Sequence, residues 1–431
     1  MPKDHSIHRA WLGGVIKVVD ASTEPLHPVI QEFQQMIETN ARVYMLLESM
    51  FEEVPHKEPY NNDPLGRPEI RDYRHFLRVL NHLLTTAPSW SDKSERMGLV
   101  GVPINALLDW PMGTPSGHAA FLDPDINAML KKVLNAWGDY LASPASAYVL
   151  NTSPTGWFGP SGHKDVAAVA NAGIKSGQQQ KSLPFEELFV CDPSAPHHGY
   201  TSWDSYFTRQ FREGVRPIFS PNDDNVIVNA CESKPFCIQR NVKARDKFWL
   251  KHQPYSILDM LAHDEQFADQ FVGGTVYQAF LSALSYHRWH APVSGRIVKA
   301  YVVDGTYYSE PLFEGIGDPT NRTQEIDEKS EDPSQGYLTA TATRALIFIQ
   351  AHNPAIGLMV FMGIGMTEVS SCDITVRVGD HVKKGDEIGM FHFGGSTYCL
   401  VFRKGVHLSG FPATDIDENV PVCSKLAVVH S

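Results

Sequence analysis

The sequence predicts an α+β protein: a helical N-terminal domain over 1–150, a linker over 151–182, and a mainly β domain over 183–431 with barrel-sandwich-like elements. Three observations carry this prediction. Apolar residues recur at spacings of three and four through the first third of the chain. Short runs of β-branched and aromatic residues bounded by turn residues dominate from about residue 225 onward. Two later segments share short strands joined by glycine-containing turns. With 431 residues and a hydrophobic fraction of 42%, the chain can bury the cores of two or three such units.

Taken in order, 27–55 places Ile30, Phe33, Met36, Ile37, Tyr44, Leu47 and Met50 near one helical face. Helical spacing returns over about 70–85 and over 124–142, where Ile126, Met129, Leu130, Val133, Leu134 and Trp137 recur. The stretch 151–181 is rich in Gly, Ser, Ala and Gln and reads as a loop or short helix. Strands are expected over 226–230, 296–303, 344–349, 358–362 and 397–402, with a helical insertion around 257–268. Segments 291–298 and 376–390 look like half-barrels of the biotinyl and lipoyl kind. Lys383 and Lys384 then read as ordinary turn lysines, not a carrier site. The acidic stretch 313–336 reads as a solvated loop able to cover a neighbouring site.

Composition narrows the function classes. A formal net charge of −12, from 37 basic and 49 acidic residues, argues against a general nucleic-acid binder and gives no electrostatic help toward anionic membranes. No apolar run of about 18 residues occurs, and the N-terminus lacks a signal-peptide core, so neither a stable membrane anchor nor secretion is expected. Cys191, Cys231, Cys237, Cys372, Cys399 and Cys423 lack Cys-x-x-Cys spacing and read as free thiols of a cytoplasmic protein. The sequons at Asn151 and Asn321 are then chance matches. His287 and His290 lack a third ligand motif, so no metal site is expected.

The chemistry concentrates in Gly394-Gly395-Ser396. Glycine tolerates strained backbone and close approach, so a serine behind it can attack the preceding carbonyl. Alone, Gly-Gly-Ser is an ordinary turn. Two further segments change its meaning: Tyr286-His-Arg-Trp-His290 with Pro292, and Arg209-Gln-Phe-Arg-Glu-Gly-Val-Arg-Pro217. The three together, in this order, resemble the phosphatidylserine decarboxylase family of pyruvoyl enzymes.

That resemblance implies self-cleavage between Gly395 and Ser396, leaving Ser396 as a pyruvoyl group and giving two associated chains, 1–395 and 396–431. It implies no pyridoxal phosphate. His290 would act with an acidic residue and Ser396 as a protease-like triad, and His287 as the acid of decarboxylation through a Schiff base. The family's acid is an aspartate, whereas Glu232 occupies its place here, which requires a shifted backbone. The N-terminal helices are similar to those of soluble fungal members, implying a free, aromatic L-amino acid as substrate; the alternative is phosphatidylserine itself. Trp289, Phe391 and Phe393 flank the expected site and could contact an aromatic ring or serve equally well as packing residues. A serine hydrolase using Ser396, His290 and Glu232, or a noncatalytic binding module, would each leave the chain intact.

Overall fold

The computed structural model describes residues 5–54, 69–92, 102–172, 182–246, 255–311, 334–368, 371–393, 396–416 and 418–430. Among the described residues the first part holds the helices α1 (His5–Ala21), α2 (Pro28–Thr39), α3 (Ala41–Glu52), α4 (Tyr73–Leu83), α5 (Pro103–Met112), α6 (Pro115–Leu122) and α7 (Pro124–Ala142). The periodic stretch 27–55 is two helices because Asn40 is extended and its side chain accepts from the N–H groups of Arg42 and Val43. It therefore ends α2 and caps α3. Asp72 caps α4 by accepting from His75 N at 2.7 Å. Asp123 caps α7, with Pro124 in the first helical position. Sequence periodicity misses α5 because every residue from Ile104 to Met112 is buried, which erases the contrast between faces.

The linker stretch contains a further helix, α8 (Gly162–Ala172), and its glutamine-rich part lies outside the described residues. Two short helices follow, α9 (Phe185–Leu188) and α10 (Trp203–Phe207). Their apolar residues join the core of the first helices, as do Tyr286 and Phe393 from much later in the chain.

The remainder is mainly β, as expected. A seven-stranded antiparallel sheet has the order β2 (Lys234–Arg240), β3 (Thr275–Leu281), β11 (Ser396–Phe402), β7 (Leu358–Gly365), β6 (Arg344–Ala351), β5 (Gly295–Val303), β9 (His381–Val382). One three-stranded sheet is β4 (Arg288–His290), β10 (Glu387–His392) and β8 (Ser371–Ile374), with β10 central. Another is β1 (Val226–Val228), β13 (Lys425–His430) and β12 (His407–Ser409). No barrel closes among the described strands.

Both faces of the large sheet are covered. Along β11, Tyr398, Leu400 and Phe402 enter one core, together with Trp289 and Phe391, while Cys399 and Val401 enter the other. Burial on two faces turns the alternating pattern of a strand into a continuous apolar run. The two segments of half-barrel character pair with each other through β5 and β9, and β4, just before the first segment, pairs with β10 in the second. Lys384 is buried, and its ammonium donates to the carbonyls of Asp223 and Val226 at 2.8 and 3.0 Å, which excludes a carrier role for it. The expected loop 313–336 lies outside the described residues up to 333; its last residues begin α11 (Gln335–Thr341).

Candidate active site

Ser396 is the first residue of β11, paired across to Leu281 of β3 and Gly365 of β7. Its side chain is fully buried, and Oγ has no hydrogen-bond partner among the described residues. Strand alternation puts Ser396 on the face of Tyr398, the side covered by the β4–β10–β8 sheet. Its neighbour Thr397 is satisfied instead, donating to Ala279 O at 2.9 Å and accepting from Gln278 at 3.1 Å. Gly394 and Gly395 lie outside the described residues. Just before them, Phe393 has a φ of 84°, a left-handed backbone costly for an aromatic residue.

Two arginines, Arg209 and Arg288, anchor the histidine segment. Arg209 is buried and donates to the carbonyls of Leu284 and Ser285 at 2.7 and 3.0 Å, fixing the chain just before Tyr286. Arg288 donates to Thr208 O at 2.7 Å and makes a two-pronged pair with Glu387 at 2.8 and 3.0 Å. The segment is thereby tied both to α10 and to β10. Within it, His287 is buried with its ring stacked on Phe207 at 4.1 Å, and its carbonyl accepts from Phe391 N.

His290 lies at the end of β4. Its Nδ1 stands 2.8 Å from Gly385 O, which makes Nδ1 the protonated nitrogen, and its Nε2 accepts from the Tyr286 hydroxyl at 3.1 Å. Burial holds the imidazole below its ordinary 6.5, against the pull of the Gly385 carbonyl. A neutral ring with a lone pair on Nε2 is the form a general base requires.

The expected contact between Glu232 and His290 is absent. Both Glu232 oxygens are taken by Arg216, at 3.0 and 2.5 Å, and one also accepts from Val422 N at 2.8 Å. The two regions do meet through backbone, since His290 N donates to Ala230 O at 2.8 Å. The Gly385 carbonyl thus fills the place expected for the carboxylate. No hydrogen bond joins Ser396 to His290 either.

The three aromatic side chains expected at a substrate ring are used in packing. Trp289 and Phe391 are fully buried with ring centroids 4.6 Å apart, and Trp289 also packs on Phe361 between the two sheets. Phe393 points into the helical core, 6.1 Å from the Trp137 ring.

Two residues, His392 and Glu368, and the contact of Tyr286 with His290 escape the sequence reading. His392 Nδ1 lies 2.7 Å from the Asp204 carboxylate, with Asp373 on its other side at 3.9 Å. The partner is 188 residues away, so no local spacing signals the pair. Tyr286 holds His290, as above. Glu368 follows β7 and accepts from Ile104 N and, at 2.8 Å, from Asn105 N at the start of α5. Burial pushes the carboxyl up to about 7, against the lowering effect of the hydrogen bonds from Asn105, Thr367 and Ile104.

Sequence comparison places the chain among known proteins. Two family models described as phosphatidylserine decarboxylase match it over residues 27–166 and 203–420. It is 41% identical over 332 residues to Decarboxylase iboD of Amanita muscaria, covering 77% of this chain and 92% of that protein. It is 35% identical over 388 residues to the L-tryptophan decarboxylase of Psilocybe cyanescens, covering 87% of this chain and 80% of that protein. A phosphatidylserine decarboxylase proenzyme of Fusobacterium nucleatum is 30% identical over 231 residues, 53% of this chain and 69% of that protein. With both halves matched and relatives aligned across most of its length, this chain belongs to the phosphatidylserine decarboxylase family.

Proposed function

We propose that the chain is the proenzyme of a pyruvoyl-dependent decarboxylase acting on a free L-amino acid, of the aromatic class. The observation that carries this reading is the Ser396 hydroxyl, buried and without a hydrogen-bond partner among the described residues, at the head of a central strand and directly behind two glycines. A buried polar group left without a partner is costly, and such groups persist where chemistry uses them.

In this reading Ser396 Oγ attacks the Gly395 carbonyl and the peptide bond becomes an ester. Elimination takes the Ser396 α-proton, frees the Gly395 carboxylate and leaves dehydroalanine; addition of water and loss of ammonia give the pyruvoyl ketone. That ketone supplies the electron sink for losing CO2 from an amine-bearing substrate. His290 is the base toward Ser396 once the Tyr286 hydroxyl yields Nε2, and His287 returns a proton to the substrate after CO2 has left. Glu232, held by Arg216, positions the surrounding chain and leaves His290 to the Gly385 carbonyl.

The strands support association of the two products. Every residue from Ser396 to Phe402 is paired on both sides by strands of the longer product, and β13 pairs with β1. Asn229 and Glu232 add bonds to Val420 and Val422 across the same boundary.

The free amino acid is favoured by the relatives named L-tryptophan decarboxylase, which align over 87% of this chain. Among the described residues no helix is long and apolar enough to cross a membrane. The test is CO2 release by the purified protein from tryptophan, phenylalanine, tyrosine and vesicles containing phosphatidylserine. Turnover of the free amino acids supports the proposal; turnover of the vesicles alone replaces it with the lipid reading.

A further inference from the structure

Away from Ser396, three side chains with metal-ligating atoms converge: His163 in the first turn of α8, Glu186 on α9, and His198 in the 3-10 turn Pro196–Gly199. One ligand atom from each lies within 4.8 Å of the other two, and His163 Nε2 stands 3.0 Å from Glu186 Oε1. His163 Nε2 and His198 Nδ1 are both shielded from solvent, and among the described residues neither makes a hydrogen bond beyond the contact of His163 with Glu186. A shielded His198 Nδ1 without a partner among the described residues, close to a carboxylate that already contacts a second imidazole, is an unusual arrangement for a merely structural cluster.

The surroundings hold these rings in place. His198 stacks flat on Phe158 at 3.9 Å, with 3° between the planes, and His163 meets the same ring edge-on at 5.6 Å. His198 adopts a φ of 54°, so left-handed backbone is spent on aiming this side chain. Arg212 donates to Glu186 O at 2.6 Å and to Cys191 O at 2.9 Å, fixing the segment that carries the carboxylate.

We propose that His163, Glu186 and His198 bind a borderline divalent cation of the zinc class. The two-nitrogen, one-oxygen donor set suits zinc and disfavours calcium or magnesium, which prefer all-oxygen shells. Ligand atoms around a tetrahedral ion with bonds of about 2.0–2.1 Å stand roughly 3.3 Å apart, so modest side-chain rotation closes the set. Three protein ligands leave a fourth position, and an open cleft bordered by His163, Phe158, Lys164 and Phe185 gives access. A bound ion would cross-link α8, α9 and the 196–199 turn, three segments between the first helices and the β domain. The spacing of 163, 186 and 198 matches no short ligand motif, which is why sequence reading missed the site.

The test uses the full-length protein stripped with a chelator, then titrated with Zn2+ in competition with a chromophoric chelator, and separately with Co2+. The wild type should take up one equivalent, raise its Tm with Zn2+, and show the intense visible bands of four-coordinate Co2+. His198→Ala and Glu186→Gln should each weaken Zn2+ binding by about 100-fold or more. His352→Ala serves as a control and should bind like wild type. Should His198→Ala fail to fold, the Co2+ spectrum of the wild type still decides: an octahedral aquo-like spectrum, or no saturable uptake, overturns the proposal. Binding unchanged in both ligand variants also overturns it.

Discussion

The ring of Phe393 lies directly over Gly138 of α7: a Cβ added at 138 would stand 2.9 Å from Phe393 Cε2. The residue three positions before Ser396 is therefore seated on the helical part of the molecule, with a left-handed φ. If Ser396 cleaves the chain as proposed, this contact gives the N-terminal helices a task in that step.

Gly138→Ala tests that task. In a helix interior alanine is favoured over glycine by about 1 kcal/mol, so the helix itself should gain. Displacing Phe393 should nonetheless slow self-cleavage by about tenfold, equivalent to ~1.4 kcal/mol on the barrier. The fraction of uncleaved chain against time on a denaturing gel measures it. Cleavage at the wild-type rate would remove the anchor from the account.

The two histidines should separate by step. His290→Ala should leave the chain uncleaved. His287→Ala should cleave yet release CO2 poorly, by a factor of about 100 or more as for loss of a general acid. An uncleaved His287→Ala chain, measured by the same gel, would show that the roles are reversed.

Arg216→Met leaves Glu232 buried without its cation. Removing one partner of a buried pair costs about 3–5 kcal/mol. Urea denaturation should show the loss, and the 396–431 fragment should dissociate at lower urea, because Glu232 also holds Val422.

Glu368 sets a pH dependence of stability. Its folded pKa of about 7 lies above the model-peptide value of 4.5, with burial as the main cause. The folded chain thus keeps a proton that the unfolded chain has lost, and stability falls as pH rises from about 4.5 to about 7, then levels off. The span corresponds to roughly 3 kcal/mol. Glu368→Gln keeps an acceptor for the Ile104 and Asn105 N–H groups and should flatten the curve, read as urea midpoints at pH 5.5 and 8. An unchanged slope would exclude Glu368 as its source.

Much of this architecture is legible in the chain. Asp123-Pro124 marks the start of α7, and the β-branched runs mark β5, β6 and β7, because caps and alternation are local properties. What escapes is long-range or without contrast. The all-buried α5 has no polar face to reveal it. The pairing of His392 with Asp204, and of Glu232 with Arg216, depends on which strands the topology brings together. Ser396, His287 and His290 could be named from motif order, yet that order carries no information that the Gly385 carbonyl would face His290. Trp289 and Phe391 beside the motif look like ligand contacts in one dimension and prove to be packing between two sheets.

The central claim is that Ser396 converts its own peptide bond, and an intact-mass spectrum of the purified, denatured protein tests it most directly. The account predicts two masses, 1–395 and a ketone-blocked 396–431, with Ser396→Ala giving one full-length mass and no CO2 release. A single full-length mass from a wild-type preparation that still released CO2 would contradict it.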